Sequence, residues 1–335
     1  MSGRALALTM GDPAGIGGEV ALAAWSGLRA HGPAFVAIDD PGRLAALASQ
    51  LGLEVPVRAV GSLAEGAALF ARALPVLPER LAAPVEPGRP DPAHGPAIIR
   101  SVARAVALAR AGEAAGVVTL PLAKTTLLAG GIGHAGHTTW LAELAGGGTP
   151  VMMLASPMLR VVPVTVHIPL AAVPVALTRE RIVTAARITA AALRSDFGIA
   201  RPRLALAGLN PHAGEEGTIG REEIDVIAPA IEALRAEGLA VSGPHPADSL
   251  FHARAREGYD AALCMYHDQA LIPLKALDFA GGVNVTLGLA IVRTSPDHGT
   301  AYDIAGRGIA DPSSLIAAIG LAAAMAARRE RARAA

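Results

Sequence analysis

Short apolar runs alternate with amphipathic segments along the whole chain. Polar and apolar residues do not alternate within these runs. The runs therefore predict strands that are covered on both faces, as in a mainly parallel sheet between helices. The clearest helix is predicted at residues 178–197, with Thr178 as its N-cap and Gly198 ending it. The predicted strands occupy residues 5–10, 34–39, 116–120, 151–155, 160–166, 203–208, 261–266 and 283–289.

Length and loop composition suggest how these elements are grouped. A chain of 335 residues exceeds the usual limit of a single core, so two lobes are expected. Residues 78–96 hold six prolines and are predicted to form a surface connection rather than an element. The other loops are short, which favours lobes joined by sheet crossovers.

Composition excludes several classes of protein. Lys plus Arg and Asp plus Glu both number 29, so the basic excess typical of nucleic-acid binding is absent. The basic residues at 328–333 are interpreted as a solvated helix end. No long uninterrupted apolar stretch and no signal peptide is recognised, so we expect a cytoplasmic protein without a membrane span. The single cysteine, Cys264, is expected to be a small buried hydrophobe.

Three histidines follow apolar runs: His167, His212 and His267. The carboxyl ends of strands in an open α/β sheet line the crevice where ligands bind. Three imidazoles with a vacant fourth position suit a catalytic Zn²⁺ or a similar divalent ion. Each histidine could instead satisfy only local hydrogen bonds, but their shared position favours a metal-assisted active site.

Further polar residues suggest an anion site. Lys275 and Arg293 lie in apolar runs, with Asn284 nearby, and together they suit a doubly charged group such as a phosphate. His137 and Thr138 precede an apolar helix. Thr138 is either the N-cap of that helix or, with His137, a donor to a phosphate or carboxylate.

Two glycine-rich segments are candidates for backbone contact with a ligand. Residues 9–19 lack the G-x-G-x-x-G spacing, and they form either an anion-binding turn or a tight βα turn. In residues 297–312, glycines such as Gly299 and Gly306 would let the backbone approach a flat ligand, and Asp303 or Asp311 could accept ribose hydroxyls. The alternative is a packed loop before the final helix.

The chain resembles the 4-hydroxythreonine-4-phosphate dehydrogenase family of pyridoxal phosphate biosynthesis. The resemblance runs in order from Thr9 to Pro312 and is carried by TMGDPAGIG, PLAK, GHT, GLNPHAGE, PADSLF, CMYHDQALIPLK, GVNVTLGL and RTSPDHGTAYDIAG. It implies a two-lobed α/β/α fold like that of isocitrate and isopropylmalate dehydrogenases, with a mostly parallel sheet and a cleft between the lobes. The expected lobes are residues 1–126 with 285–335, carrying the cofactor loop, and residues 127–284, carrying the metal ligands and dimer interface.

The resemblance also implies NAD-dependent, or NADP-dependent, oxidation of 4-phosphooxy-L-threonine. The 2-amino-3-oxo acid formed would lose CO₂ to give 3-amino-2-oxopropyl phosphate. A homodimer with a shared active site is implied, with one metal-binding histidine from the neighbouring subunit. The implied residues are His167, His212 and His267 for Zn²⁺, Mg²⁺ or Co²⁺; His137, Thr138, Lys275, Asn284 and Arg293 for the phosphorylated substrate; Gly299, Asp303 and Gly306 for the cofactor; and Asp248 and Lys124 near the chemistry.

Three positions depart from the family pattern. Thr139 replaces the usual Glu after GHT, and Gly18 and Ala290 replace prolines. The change at Thr139 keeps open a related activity on phosphorylated threonate or erythronate. From other classes, a metal-dependent phosphate-ester hydrolase would use the same histidines and anion-binding residues but no dinucleotide. A catalytically inactive binding protein would be expected to lack one of the metal-binding residues, but all three histidines are present.

Overall fold

The computed structural model describes residues 4–129, 131 and 137–334. The chain forms two compact units, Met1–Pro150 with Leu289–Ala335, and Val151–Gly288. The predicted lobes differ from these units in residues 127–150, which join the first unit, and 285–288, which join the second. The division of roles between the lobes remains a prediction.

The first unit is built on a parallel sheet covered by helices. Its described strands lie in the order β3-β4-β2-β1-β5-β12, and every neighbouring pair is parallel. The strands are β1 (Leu6–Thr9), β2 (Phe35–Asp39), β3 (Val57–Ala59), β4 (Leu74–Pro78), β5 (Val117–Val118) and β12 (Arg293–Pro296). The helices are α1 (Gly17–Leu28), α2 (Pro41–Gln50), α3 (Leu63–Leu69), α4 (Gly95–Arg110), α5 (Lys124–Ala129), α6 (His137–Leu144) and α13 (Ser313–Ala334).

The second unit has a mixed sheet in the order β11-β6-β7-β10-β8-β9. Its strands are β6 (Val151–Ala155), β7 (Arg160–Pro163), β8 (Arg203–Ala207), β9 (Ala240–His245), β10 (Ala261–Cys264) and β11 (Val283–Leu287). Strands β7, β10, β8 and β9 are parallel, whereas β6 is antiparallel to both β7 and β11. Only four residues join β6 to β7, too few for the crossover that a parallel pair needs. The helices are α7 (Val173–Ala176), α8 (Arg179–Ser195), α9 (Ala228–Ala236), α10 (Ala247–Leu250), α11 (Ala253–Arg256) and α12 (His267–Leu277).

The α/β class with mostly parallel strands is therefore confirmed, and each predicted run contains a strand. The predicted long helix is α8, whose N-cap Thr178 accepts a hydrogen bond from the Arg181 backbone N–H. Among the described strands, β3, β4 and β9 were missed, and β12 begins at Arg293, which was expected on or beside a strand. Prolines in β4 and β9 argue against strands, but β9 lies at a sheet edge where proline is tolerated.

Two local predictions need correction. Residues 78–96 are not entirely a connection: they end in a 3₁₀ turn, Pro92–His94, and in the first two residues of α4. Pro96 fits there because the first turn of a helix has no use for its missing N–H. Lys275, expected on or beside a strand, lies in the last turn of α12.

Burial agrees with the composition. Cys264 is completely buried in the core of the second unit, as predicted, and burial raises the pKa of its thiol. Among the helices in the described part of the chain, none has the length and apolar character that crossing a bilayer requires.

Cys264 provides a probe of unfolding. We expect its thiol to be unreactive towards iodoacetamide at pH 8 in the native protein, because the reactive thiolate is both shielded and disfavoured. It should react fully in urea, which mass spectrometry would detect. Rapid stoichiometric labelling of the native protein would contradict this burial.

Candidate functional site

His167 and His267 come together where two neighbouring strands end. Strand β7 ends at Pro163 and the parallel strand β10 ends at Cys264, and each histidine follows within a few residues. Their ring centroids are 5.6 Å apart. Two imidazoles bound to one tetrahedral Zn²⁺ through bonds of about 2.1 Å have centroids about 5 Å apart. The two side chains therefore fit a pair of ligands to one divalent metal ion.

The backbone of Met265 holds the two histidine segments together. Its carbonyl accepts a hydrogen bond of 2.7 Å from the Thr165 hydroxyl, and its N–H donates to the side-chain oxygen of Gln269 at 2.6 Å. Thr165 and Gln269 are both buried. These contacts continue the hydrogen bonding of the sheet beyond the strand ends and fix the two segments next to one another.

The surroundings of the pair suit metal binding. Asp268 lies 2.7 Å from Nδ1 of His267, an arrangement that orients the ring and leaves Nε2 for a metal. Burial, and after it the nearby imidazole of His267, lowers the pKa of His167 and favours the neutral form that binds metals. A cavity of about 220 Å³ is lined by His167, His267 and Asp268, with Val173 on its apolar side.

His212 lies on an unusual left-handed turn after β8. Residues 212–216 all have positive φ angles, between 44° and 81°. This conformation costs roughly 1–2 kcal/mol for each non-glycine residue, and such strain is often found at functional sites. Gly214 is required there, because a Cβ atom would lie 2.6 Å from Oε2 of Glu223 and 2.9 Å from the Gly220 carbonyl oxygen.

Buried Glu223 holds the segment that leads into this turn. One of its carboxylate oxygens accepts hydrogen bonds of 2.7 Å from the backbone N–H groups of Leu209 and Asn210. The other accepts a hydrogen bond of 2.9 Å from the Asn210 side chain. Asn210 also donates to Glu222, which lowers the pKa of that carboxyl.

A single chain does not bring all three predicted ligands together. Within the described residues, no group of three or more His, Cys, Asp or Glu side chains is arranged to hold a metal ion. His212 is exposed on its turn, and helix α10, which carries the exposed Asp248, packs against that turn. Asp248 therefore lies on a helix next to the turn that carries His212.

The predicted anion-binding residues have different environments. Arg293 is 5% exposed in β12 and donates a hydrogen bond of 2.6 Å to the Thr119 hydroxyl; burial lowers its pKa to about 10. Lys275 is half-buried, with Nζ 5.6 Å from the centre of the Phe279 ring, and Asn284 is half-buried in β11. The side chains of Lys124, His137 and Thr138 lie outside the described part of the structure, as do His134 and Gly136 altogether.

Helix α6 is described from His137, so Thr138 lies inside the helix and is not its N-cap. Thr139 is exposed on the same helix. This arrangement is expected if Thr139 only extends the first turn of the helix and has no role in the site.

The two glycine-rich loops pack against each other. Buried Glu19 accepts hydrogen bonds from the backbone N–H groups of Gly306 and, at 2.9 Å, Gly308. A Cβ atom on Gly15 would lie 2.7 Å from the Thr300 carbonyl oxygen, so this glycine serves close packing of the first loop.

Two predicted cofactor residues, Gly299 and Asp303, are exposed on the second loop, and Gly306 lines a cavity of about 570 Å³. Asp311 instead accepts hydrogen bonds from the backbone and hydroxyl of Ser313 at the start of α13, and the Ser313 hydroxyl in particular lowers its pKa. Both aspartates considered for ribose are exposed, and they differ in that the Asp311 carboxylate already accepts the hydrogen bonds from Ser313.

The supporting residues were missed by sequence reasoning. Thr165, Gln269 and Glu223 are polar side chains on buried positions, and their partners are backbone groups distant in sequence. Gln269 offered one signal, because it is a polar residue immediately followed by the apolar residues Ala270 and Leu271, which are buried in α12.

Comparison with known proteins identifies relatives over nearly the whole chain. Residues 32–322 match the family model described as pyridoxal phosphate biosynthetic protein PdxA. A 4-hydroxythreonine-4-phosphate dehydrogenase from Caulobacter vibrioides is 58% identical, and the alignment covers 98% of this chain and 99% of that protein.

Solved structures agree with this similarity. A 4-hydroxythreonine-4-phosphate dehydrogenase from Klebsiella pneumoniae is 39% identical, with a TM-score of 0.86 over 96% of this chain and 98% of that one. A terephthalate 1,2-cis-dihydrodiol dehydrogenase from Burkholderia xenovorans is 31% identical, with a TM-score of 0.64 over 96% and 98% of the two chains.

Substitution of Glu223 tests how the His212 turn is held. Glu223→Ala leaves two half-buried backbone N–H groups without their acceptor, so we expect a loss of about 1–3 kcal/mol in the free energy of unfolding. Hydrogen exchange at residues 209–217 should also accelerate. Glu216→Ala, which removes an exposed acid from the same turn, is the matched control and should leave both quantities nearly unchanged. Equal effects of the two substitutions would show that Glu223 does not hold the turn.

Proposed function

Because the chain belongs to the PdxA family of pyridoxal phosphate biosynthetic proteins, we propose that it oxidises 4-phosphooxy-L-threonine with NAD or NADP. The product is a 2-amino-3-oxo acid. Its carboxylate is beta to the new ketone, so it loses CO₂ readily and gives 3-amino-2-oxopropyl phosphate. The similarity to named relatives over nearly their full length supports this substrate.

The observation that carries the proposal is the pairing of His167 with His267. Their separation and the Asp268 contact suit two ligands of one divalent ion, and His212 is the proposed third ligand. When bound, Zn²⁺, Mg²⁺ or Co²⁺ would supply Lewis acidity that lowers the pKa of the substrate hydroxyl. The two imidazoles, oriented by the Met265 backbone, would fix where that hydroxyl lies.

Substrate binding is proposed to rest on the phosphate. Arg293 is a buried guanidinium that stays protonated at neutral pH, and its charge favours a doubly charged anion. Lys275 and Asn284 are proposed to assist, together with His137 and Thr138. Holding the phosphate fixes the carbon that loses hydride relative to the cofactor.

The loop of residues 297–312 is proposed to bind the nicotinamide cofactor, which accepts the hydride. Asp303 would accept ribose hydroxyls, and Gly299 and Gly306 would allow close approach of the backbone. The exposure of Asp303 and the ties from Glu19 to Gly306 and Gly308 support a loop held in a fixed conformation.

Two residues are candidates to accept the hydroxyl proton. Asp248 is exposed beside the turn of His212, and the backbone of Lys124 begins helix α5. The carboxylate of Asp248 would act as a general base towards the substrate hydroxyl.

We further propose a homodimer in which His212 completes the metal site of the partner subunit. His167 and His267 are adjacent within one chain whereas His212 is not grouped with them, so a third imidazole must come from elsewhere. The second unit also exposes large apolar side chains: Val175 is 87% exposed, Phe279 78% and Ile272 64%. Such residues are typical of a surface that another subunit covers.

Activity and metal dependence test the function directly. With 4-phosphooxy-L-threonine and NAD, we expect NADH formation that stops with EDTA and returns with Co²⁺ or Zn²⁺. His167→Ala should retain the fold but lose bound metal in elemental analysis. Phosphate release without NADH formation would instead support a phosphate-ester hydrolase, and faster turnover of phosphorylated threonate or erythronate would change the substrate assignment.

Arg293→Met tests phosphate recognition. We expect a rise in KM for the phosphorylated substrate equivalent to about 2–4 kcal/mol, because a buried charged partner is lost. Thr119→Val keeps the charge and removes only the hydroxyl that Arg293 contacts, so it should have a smaller effect. If Arg293→Met impairs unphosphorylated 4-hydroxythreonine equally, Arg293 does not bind the phosphate.

A further inference from the structure

We propose that Gln269 is a positioning residue for the candidate metal centre: its buried amide fixes the segment carrying His267 to the strand end that precedes His212. The proposal rests on the metal site of the proposed function. Gln269 lines no part of the cavity beside His167 and His267, so it acts through the backbone and does not contact a ligand.

The amide of Gln269 connects two strand ends. Its oxygen accepts the hydrogen bond of 2.6 Å from Met265 after β10, and its nitrogen donates at 2.7 Å to the carbonyl of Gly208 after β8. The side chain is 8% exposed, so water cannot easily replace either bond. Removing one partner of a buried hydrogen bond leaves the other group unsatisfied, and this costs more free energy than the hydrogen bond itself contributes.

Gly208 extends this connection to the turn of His212. A Cβ atom on Gly208 would lie 2.9 Å from Cα of Ala213, the residue after His212. The backbone of the turn therefore packs directly on the residue that Gln269 holds. Movement of the Gly208 carbonyl would shift His212, just as movement of Met265 would shift His267.

The amide satisfies both bonds at once, whereas an ionised carboxylate has no donor. Glutamate at this position could still accept from the Met265 N–H, but it would face the Gly208 carbonyl with an oxygen instead of a donor. Methionine has a similar length and makes neither bond. Gln269→Glu thus removes only the bond to Gly208, on the side of His212. Gln269→Met removes that bond and also the bond to Met265, on the side of His267.

The experiment measures Co²⁺ binding to the full-length protein by competition with a chelating dye, together with the visible spectrum of bound Co²⁺. Support from residues behind metal ligands typically changes affinity 10- to 100-fold. We therefore expect Gln269→Met to raise the dissociation constant about 10- to 100-fold and to alter the Co²⁺ spectrum. Gln269→Glu, which keeps one bond, should cause a smaller rise and carries the test if Gln269→Met does not fold.

Arg235→Met is the matched control, because it removes another side-chain to backbone hydrogen bond in the same unit, from Nε of Arg235 to the Val241 carbonyl at 2.9 Å. It should lower thermal stability without changing Co²⁺ affinity or spectrum. Parental affinity and spectrum in folded Gln269 variants, or the same loss of affinity in Arg235→Met, would overturn the positioning role alone. A parent protein that binds no Co²⁺ would overturn the proposed metal site as well.

Discussion

The backbone of Met265 is the point on which the candidate metal centre depends. Its carbonyl is held by Thr165 and its N–H by Gln269, just beyond the ends of β7 and β10. Parallel strands place their carboxyl ends at one edge of a sheet. Here the backbone pairing continues just past that edge, where the N–H of Val164 donates to the Cys264 carbonyl at 2.8 Å and the N–H of Thr165 to the Met265 carbonyl at 3.3 Å. The buried side chains of Thr165 and Gln269 add hydrogen bonds to this pairing, and the imidazoles of His167 and His267 lie at ligand spacing.

Buried carboxylates support the other loops in the same way. Glu223 binds backbone N–H groups before the turn of His212, and Glu19 binds those of Gly306 and Gly308 in the candidate cofactor loop. Asp12 accepts hydrogen bonds from the hydroxyls of Thr126 and Tyr302, which connects the first loop to the same candidate cofactor loop. Each of these carboxylates is itself buried, and each has its charge matched by hydrogen-bond donors. Rigid loops of this kind suit the positioning of substrate and cofactor.

The pattern of apolar runs was sufficient to predict the α/β class, the strands that precede the three histidines and helix α8. It could not predict β4 or β9, whose prolines hide their strand character, nor the antiparallel pairing of β6, which depends on a four-residue connection. Thr165, Gln269 and Glu223 were missed because their role lies in contacts with distant backbone groups. Periodicity reports which face of an element is buried, and it does not report which buried polar atoms meet.

The separation of His212 from the other two histidines makes the origin of the third ligand the most informative quantity to measure. A crystal of the protein grown with Co²⁺, examined at the cobalt absorption edge, would locate the metal by anomalous scattering. We predict one cobalt ion bound by His167 and His267 of one subunit and by His212 of the partner subunit. Cobalt bound by all three histidines of one chain would contradict the shared site, and cobalt away from His167 and His267 would contradict the metal centre itself.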